Sequence, residues 1–156
     1  MQETGGYKPR VITLAVTKLT VIKPNRAPPI VHDKEIWVAA RKLQQPLTRF
    51  QNEITQSQRD FITRYKAIKR SLFGMQKASP SKGVIRDNFN PAEIAGVYKH
   101  YASAISVLTD EKYFQGSFDF LPQVSAAVTQ PVLCKDFIID AYQIQLARFY
   151  HADAIY

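Results

Sequence analysis

From residue 71 onward, short apolar runs alternate with segments whose apolar residues recur at helical spacing. The apolar runs predict strands at 71–75, 104–108 and 131–134, and the start of a fourth at 153–156. The first of these is a weak prediction because a glycine, Gly74, lies inside it. The alternation predicts parallel strands that are buried on both faces and joined by right-handed crossovers.

Three helices are predicted between these strands. Asn90 is placed to cap the first, and Pro91 occupies its first helical position, so this helix runs to about residue 101 after a loop at 79–89. The other two helices are predicted at 117–127 and 140–150. The side chains expected to face the core are Ile94, Val97, Tyr98, Phe120, Leu121, Val124, Tyr142, Ile144, Leu146 and Ala147.

The first half of the chain contains one clear helical pattern, at 30–43, which Pro46 follows. We expect Asp33 to be its N-cap and Trp37 to be a packing residue. The apolar stripe of this helix consists of Ile36, Val38, Ala39, Ala40 and Leu43. Residues 1–29 have no clear period, apart from a loose alternation at 13–22 that is compatible with a strand, and we predict that this segment is poorly ordered.

Composition limits the architecture and the compartment. A chain of 156 residues suits one domain, whereas a complete (β/α)8 barrel needs roughly 250 residues. The single cysteine, Cys134, excludes an internal disulfide and favours a reducing compartment, the cytoplasm. No apolar run approaches the ~20 residues of a membrane span, so we expect no membrane partner.

The net charge of +8 suggests a nucleic-acid-binding protein, but its distribution argues against one. Residues 1–30 carry +4, residues 62–77 carry +5, and the remainder carries −1. The excess is confined to two segments that lack interleaved aromatic residues. We therefore expect a small-molecule ligand and no nucleic acid.

Polar residues follow three of the predicted strands. Lys135 ends an apolar strand, where it is either an ordinary surface lysine or a general acid with a pKa lowered by burial or by a cationic neighbour. Ser79 and Ser81 flank Pro80, and a rigid turn explains them as well as a ligand-binding loop does. Asp110 and Glu111 are adjacent on a loop, and we expect both to be solvated.

Other chemistry is not indicated by the sequence. The three histidines show no metal-ligand spacing with Cys134, and no phosphate-binding loop, dinucleotide fingerprint or nucleophile elbow occurs. We therefore expect no metal and no cofactor.

Three runs, KASPSKG at 77–83, LTDEKYFQGS at 108–117 and LCKDFIID at 133–140, closely resemble those of indole-3-glycerol-phosphate synthase. The resemblance covers about 30–61 and 77–154. It implies an α/β fold, a partial (β/α)8 TIM barrel with the N-terminal helix and about three βα units. The domain would be 30–156, preceded by a non-matching segment at 1–29.

The family's reaction is the decarboxylation and ring closure of 1-(2-carboxyphenylamino)-1-deoxyribulose 5-phosphate, without a cofactor. By resemblance Lys135 is the general acid. The positions that would bind the phosphorylated substrate are Ser79, Ser81, Leu108, Phe114 and Phe137. Some bacteria fuse this enzyme to phosphoribosylanthranilate isomerase, which is therefore an expected partner.

The chain departs from the family pattern before the first of these runs. The family has Glu-x-Lys at the end of its first strand, where this chain has Gly74 and Gln76, and neither can transfer a proton as required. Back-translation of 61–77 with single bases restored in its T and A runs gives YHALQGNKTVFILECKK, which restores Glu-x-Lys. We interpret 62–76 as an out-of-frame translation.

The chain alone is therefore predicted to be an inactive, truncated member of this family. A partial barrel leaves two sheet edges open, so we expect a molten or aggregating chain unless it dimerises. The alternative is a non-catalytic half-barrel that binds a phosphate ester or a partner chain.

Overall fold

The computed structural model describes residues 12–13, 29–67 and 71–156. The strands are β1 (Ile12–Thr13), β2 (Leu72–Met75), β3 (Ala78–Ser79), β4 (Gly83–Val84), β5 (Ala104–Leu108), β6 (Val132–Lys135) and β7 (Ala154–Ile155). The α-helices are α1 (Pro29–Gln44), α2 (Phe61–Ala67), α3 (Pro91–Tyr98), α4 (Glu111–Phe114), α5 (Phe120–Ala127) and α6 (Ala141–Phe149). Two 3-10 turns, Leu47–Arg49 and Gln51–Glu53, follow α1.

Strands β2, β5, β6 and β7 form a parallel sheet in the order β7-β6-β5-β2. This α/β arrangement is that of a partial TIM barrel, so the predicted fold class is confirmed. The strand β1 adds to the outer edge of β7 in the antiparallel direction, with Ile12 opposite Ile155. The predicted strands are therefore parallel as expected, and the antiparallel β1 is an addition that the alternation did not predict. The described sheet has edges at β1 and β2.

The strand register defines two faces of the sheet. Ser106 lies opposite Gly74 on one side and Leu133 on the other, and Leu108 lies opposite Lys135. Because side chains alternate along a strand, these residues share one face, the concave inner face of a barrel. The inner face is closed at the amino ends of the strands by Phe61 of α2, which packs with Ala104, Leu133 and Ala154.

The opposite face carries the main core. Side chains from the strands pack there against α3, α5 and α6; they are Ile105, Val107, Val132, Cys134 and Ile155. All five are nearly inaccessible to solvent. Apolar burial of this kind is the dominant favourable term in folding, so this layer fixes the positions of the strand ends.

Helix α1 differs from its predicted form. Ile36 is 58% exposed and Leu43 is 86% exposed, whereas Val38 and the charged Lys34 are buried. The predicted apolar stripe was therefore wrong except at Val38, because the buried face also contains a lysine that is paired with carboxylates. Asp33 lies inside α1, one turn after its start at Pro29, so it is not the N-cap.

Two further differences concern the later elements. Val97 is 57% exposed although it was predicted to face the core. The expected loop at 79–89 contains the short hairpin β3–β4, in which Ser79 pairs with Gly83. The predictions for 1–29 lie outside the described residues, except at Ile12–Thr13 and at Pro29.

Candidate active site at the carboxyl ends of the strands

The carboxyl ends of β5 and β6 bring Leu108 and Lys135 side by side on the inner face. Leu108 is buried, whereas Lys135 is exposed with its Nζ 5.5 Å from the centre of the Tyr156 ring. None of the described ion pairs involves Lys135. Its ammonium group is therefore available to a ligand that approaches the inner face.

Two aromatic side chains come from the segments that follow β5 and β6. The ring centres of Phe114 and Phe137 are 6.3 Å apart, and both side chains are partly buried. Phe114 ends the short helix α4, which Asp110 caps by accepting a hydrogen bond of 2.7 Å from the Tyr113 backbone N–H. The structure therefore brings two of the predicted binding residues, Phe114 and Phe137, together. Leu108 lies beside Lys135 in the sheet register.

The close approach of α4 to β5 depends on Gly116. A Cβ atom at this position would lie 2.3 Å from the backbone oxygen of Leu108, well inside the contact distance. Only glycine allows the chain to turn back against the end of β5 here.

Ser79 and Ser81 lie in the hairpin β3–β4, which contacts α4. The Ser79 hydroxyl accepts a hydrogen bond of 3.2 Å from the Lys82 backbone N–H, and Ser81 is exposed. The turn interpretation therefore describes Ser79 in this structure, and its contact with substrate stays a prediction.

A buried charge cluster, Lys34–Asp110–Asp136, joins α1 to the two strand ends. Lys34 is only 3% exposed, and its Nζ lies 2.6 Å from Asp110 Oδ1 and 2.8 Å from Asp136 Oδ1. The Thr109 hydroxyl donates a hydrogen bond of 2.6 Å to Asp136 Oδ2. The expectation that Asp110 is solvated was therefore wrong, while Glu111 is exposed as expected.

The two carboxylates determine the charge state of Lys34. Burial alone would lower its pKa, but Asp136 and Asp110 outweigh that penalty, and the pKa of Lys34 is raised. The Lys34 ammonium also lies 4.9 Å from the centre of the Trp37 ring, which stacks on Phe118. The packing role predicted for Trp37 is thus present.

Sequence reasoning missed Lys34. Its two partners follow different strands far along the chain, so no local pattern indicates the contact. The only available signal was an aspartate directly after each of two strands that end side by side.

A second contact holds α1 against α4. Asp33 accepts a hydrogen bond of 2.7 Å from Lys112 Nζ and another from the Tyr113 hydroxyl. These two donors lower the pKa of Asp33, so the carboxylate stays ionised at neutral pH. The helix α1 is therefore attached to the strand ends at two successive residues.

The positions that replace the family's Glu-x-Lys lie at the end of β2. A Cβ atom on Gly74 would lie 3.4 Å from Ser106 Oγ, an ordinary contact, so the backbone accepts a side chain here. A cavity of about 180 Å3 adjoins this strand end, lined by Gly74, Met75, Gln76, Ile85, Arg86, Phe89, Ile94 and Tyr98. Lys135 does not line it.

Other chemical groups are placed as follows. Burial raises the pKa of the Cys134 thiol well above its ordinary range, which makes it a poor nucleophile. Within 29–67 and 71–156, no group of three histidine, cysteine or acidic residues is arranged to hold a metal ion. None of the described helices has the length and apolar character needed to cross a membrane.

The chain is similar in sequence to known proteins over most of its length. A family model described as indole-3-glycerol phosphate synthase matches residues 27–156. The tryptophan biosynthesis protein TrpCF of Yersinia pestis is 78% identical over 160 aligned residues, covering 99% of this chain and 33% of that protein. The proteins of the same name from Salmonella typhi and Vibrio cholerae are 67% and 58% identical, and cover 80% and 81% of this chain.

The chain spans about a third or less of the length of these relatives, at 33%, 28% and 27%. The matched residues contain the parallel strands, the helix α1 and every side chain placed at the strand ends above. Because the family model covers most of the chain, this chain belongs to the indole-3-glycerol phosphate synthase family.

Proposed function

We propose that this chain carries part of an active site for indole-3-glycerol phosphate synthesis in tryptophan biosynthesis. The substrate would be 1-(2-carboxyphenylamino)-1-deoxyribulose 5-phosphate, and the products indole-3-glycerol phosphate, CO2 and water. The observation that carries the proposal is the placement of Lys135 on the inner face, in register with Leu108 and without an ion pair to any other described residue.

Lys135 would act as the general acid. A charged ammonium at the strand end can donate a proton to the ribulose oxygen as the aromatic ring attacks the neighbouring carbon. Leu108, Phe114 and Phe137 would hold the anthranilate ring or the sugar chain against this group, with Ser79 and Ser81 in the adjoining loop. An apolar wall beside one charged donor suits a substrate that is aromatic at one end.

The chain alone would not turn over its substrate. Gly74 and Gln76 replace the glutamate and lysine that the family pattern requires, and neither can exchange a proton at neutral pH. Loss of interdependent catalytic groups removes most of a rate enhancement. The contact between Phe114 and Phe137 nevertheless supports a second candidate function, the binding of a phosphate ester without turnover.

We further propose that residues 62–76 are translated out of frame. The support is that β2 has a solvent-exposed glycine where the family has its catalytic glutamate, on a backbone that accepts a side chain. Resequencing of the gene tests this directly. A confirmed frame through this segment, together with expression of the product, would contradict it.

The test of the function is growth of a tryptophan auxotroph that lacks the synthase. Three genes are compared: this chain, a full-length version with the Glu-x-Lys segment restored, and that version with Lys135→Met. We expect growth only from the restored gene. The matched control is the restored full-length version with Lys99→Met, a substitution at the exposed end of α3. This variant should also support growth.

Binding without turnover needs a separate measurement on this chain. Titration with indole-3-glycerol phosphate, followed by calorimetry, should give saturable binding that Phe137→Ala weakens. Growth supported by this chain itself would show that Gly74 and Gln76 are tolerated and would overturn the account of the missing chemistry. Fusion to phosphoribosylanthranilate isomerase in the longer protein remains part of the proposal.

A further inference from the structure

The Lys34–Asp110–Asp136 cluster is linked by hydrogen bonds to the backbone next to Lys135. Asp136 is the residue after Lys135, and its Oδ1 accepts a hydrogen bond of 2.7 Å from the Phe137 backbone N–H. The Lys135 carbonyl in turn accepts a hydrogen bond of 3.1 Å from the Thr109 backbone N–H. The backbone on each side of Lys135 is therefore fixed by groups that belong to, or bond with, the cluster.

The second carboxylate, Asp110, positions Phe114. One oxygen of Asp110 receives Lys34, and the other caps α4, whose last residue is Phe114. A single ammonium thus holds the carboxylate that positions Phe114 and the carboxylate that positions Phe137. The three groups are nearly inaccessible to solvent, so water does not compete for these contacts.

We propose that Lys34 is a positioning residue for the candidate active site: it sets the placement of Lys135 and of the Phe114–Phe137 pair through Asp136 and Asp110. This inference rests on the proposed function for its biological meaning. The geometry that it predicts is measurable whether or not the chain is active. Lys34 itself is buried and would not touch the substrate.

Helix α1 provides a matched control. Lys42 lies on the same helix and also pairs with an aspartate that caps a following helix, at 2.7 Å from Asp140 Oδ2. That pair is partly exposed and is separate from the Lys34–Asp110–Asp136 cluster. Lys42→Met therefore removes the same kind of contact from α1 while it leaves the three charges of the cluster in place.

The readout is the reactivity of the Lys135 amine in the 156-residue chain. Brief acylation with sulfosuccinimidyl acetate, followed by peptide mass spectrometry, gives the rate at Lys135 relative to that at exposed Lys99. In the parent chain Lys135 is held over the Tyr156 ring. Loss of a contact of that kind corresponds to about a two- to five-fold change in relative rate.

For Lys34→Met we expect the acylation rate at Lys135, relative to that at Lys99, to increase by this factor. For Lys42→Met we expect no change in this ratio. Lys34→Met leaves two buried carboxylates without a cation, which is strongly destabilising, so a second variant is needed. The combination Lys34→Met, Asp110→Asn and Asp136→Asn removes all three charges together, and asparagine remains a good N-cap.

The neutral combination separates positioning from stability. We expect it to retain the unfolding midpoint of the parent while still showing the raised ratio. A folded neutral variant whose ratio equals that of the parent would overturn the proposal, because the charges would then only hold α1 in place. Failure of the auxotroph test with an altered ratio would instead reject the proposed function and leave the positioning role intact.

Discussion

Lys34 is a charged side chain whose protonation is linked to the docking of α1. Its pKa is raised in the folded chain relative to the ordinary value of 10.5, so the charged form is favoured by folding. The stabilisation is therefore fully present below pH 10.5 and is lost as the pH rises through the higher, folded pKa.

We expect α1 to leave the strand ends in this alkaline range. Trp37, the only tryptophan, lies against Lys34 and Phe118, so its fluorescence reports the change. A pH titration of the neutral variant described above is the control and should lack this transition. The same transition in both chains would show that another group is responsible.

Gly116 allows a backbone contact that no other residue permits. Gly116→Ala would place a methyl group against the Leu108 carbonyl, and we expect a loss of about 1–3 kcal/mol in the free energy of unfolding. Gly96→Ala in helix α3 meets no atom within 4 Å and should instead stabilise by about 0.5–1 kcal/mol. Urea unfolding of both variants checks the contrast, and equal midpoints would refute it.

The buried lysine shows why residue-level prediction was incomplete. Lys135, Leu108, Phe114 and Phe137 were identified through contiguous runs that resemble a family, and the structure places them at one end of the sheet. Lys34 lies on helix α1, whose apolar residues predicted a buried face that does not include it. Its burial is stable only because two distant carboxylates compensate its charge, and that information is not present in any local window.

At the scale of single elements, helix α6 begins with a reciprocal cap. The Asp140 side chain accepts a hydrogen bond of 2.8 Å from the Tyr142 backbone N–H, while the Gln143 side chain accepts one of 3.0 Å from the Asp140 backbone N–H. Asp140→Ala should cost about 0.5–2 kcal/mol in the free energy of unfolding. Thermal or urea unfolding measures the loss.

Asp140→Asn distinguishes the cap from the ion pair with Lys42. Asparagine retains the capping oxygen but loses the charge, and a partly exposed pair contributes at most about 1 kcal/mol. We expect this variant to lie much closer to the parent than Asp140→Ala does. Similar losses for both variants would assign the effect to the ion pair.

Capping residues also gave the clearest sequence signals for where helices begin. Asn90 accepts a hydrogen bond from the Glu93 backbone N–H and Pro91 begins α3, as the dipeptide predicted. Asp33 misled the same reasoning because its carboxylate binds Lys112 and Tyr113 of another helix. A capping residue and an interhelical ligand look identical in sequence, and only tertiary contacts separate them.

At the scale of the whole molecule, the sheet edge at β7 is occupied by β1. Removal of residues 1–13 would expose the backbone groups of Ala154–Ile155, and an exposed strand edge promotes pairing between chains. We expect concentration-dependent self-association by light scattering coupled to size exclusion. Removal of residues 1–9 keeps Ile12–Thr13 and is the matched control, which should behave as the parent does.

The parallel sheet and its crossovers followed from the alternation of apolar runs with helical segments, because that pattern admits few topologies. The antiparallel β1 did not follow, since a two-residue pairing between distant segments leaves almost no pattern. The hairpin β3–β4 is a local pairing, and it was missed because two residues per strand are too few to show an alternation. Long-range pairings of short strands are determined by the assembled sheet.

The pairing of β1 with β7 also determines when β1 can join the sheet during folding. Ile12–Thr13 leave the ribosome long before Ala154–Ile155, so the earliest strand must wait for the latest one before it can join the sheet. Closing so large a loop is entropically costly, and contacts of this range form slowly. The β2-β5-β6 sheet can therefore assemble first, and the N-terminal strand is added as a late step in folding.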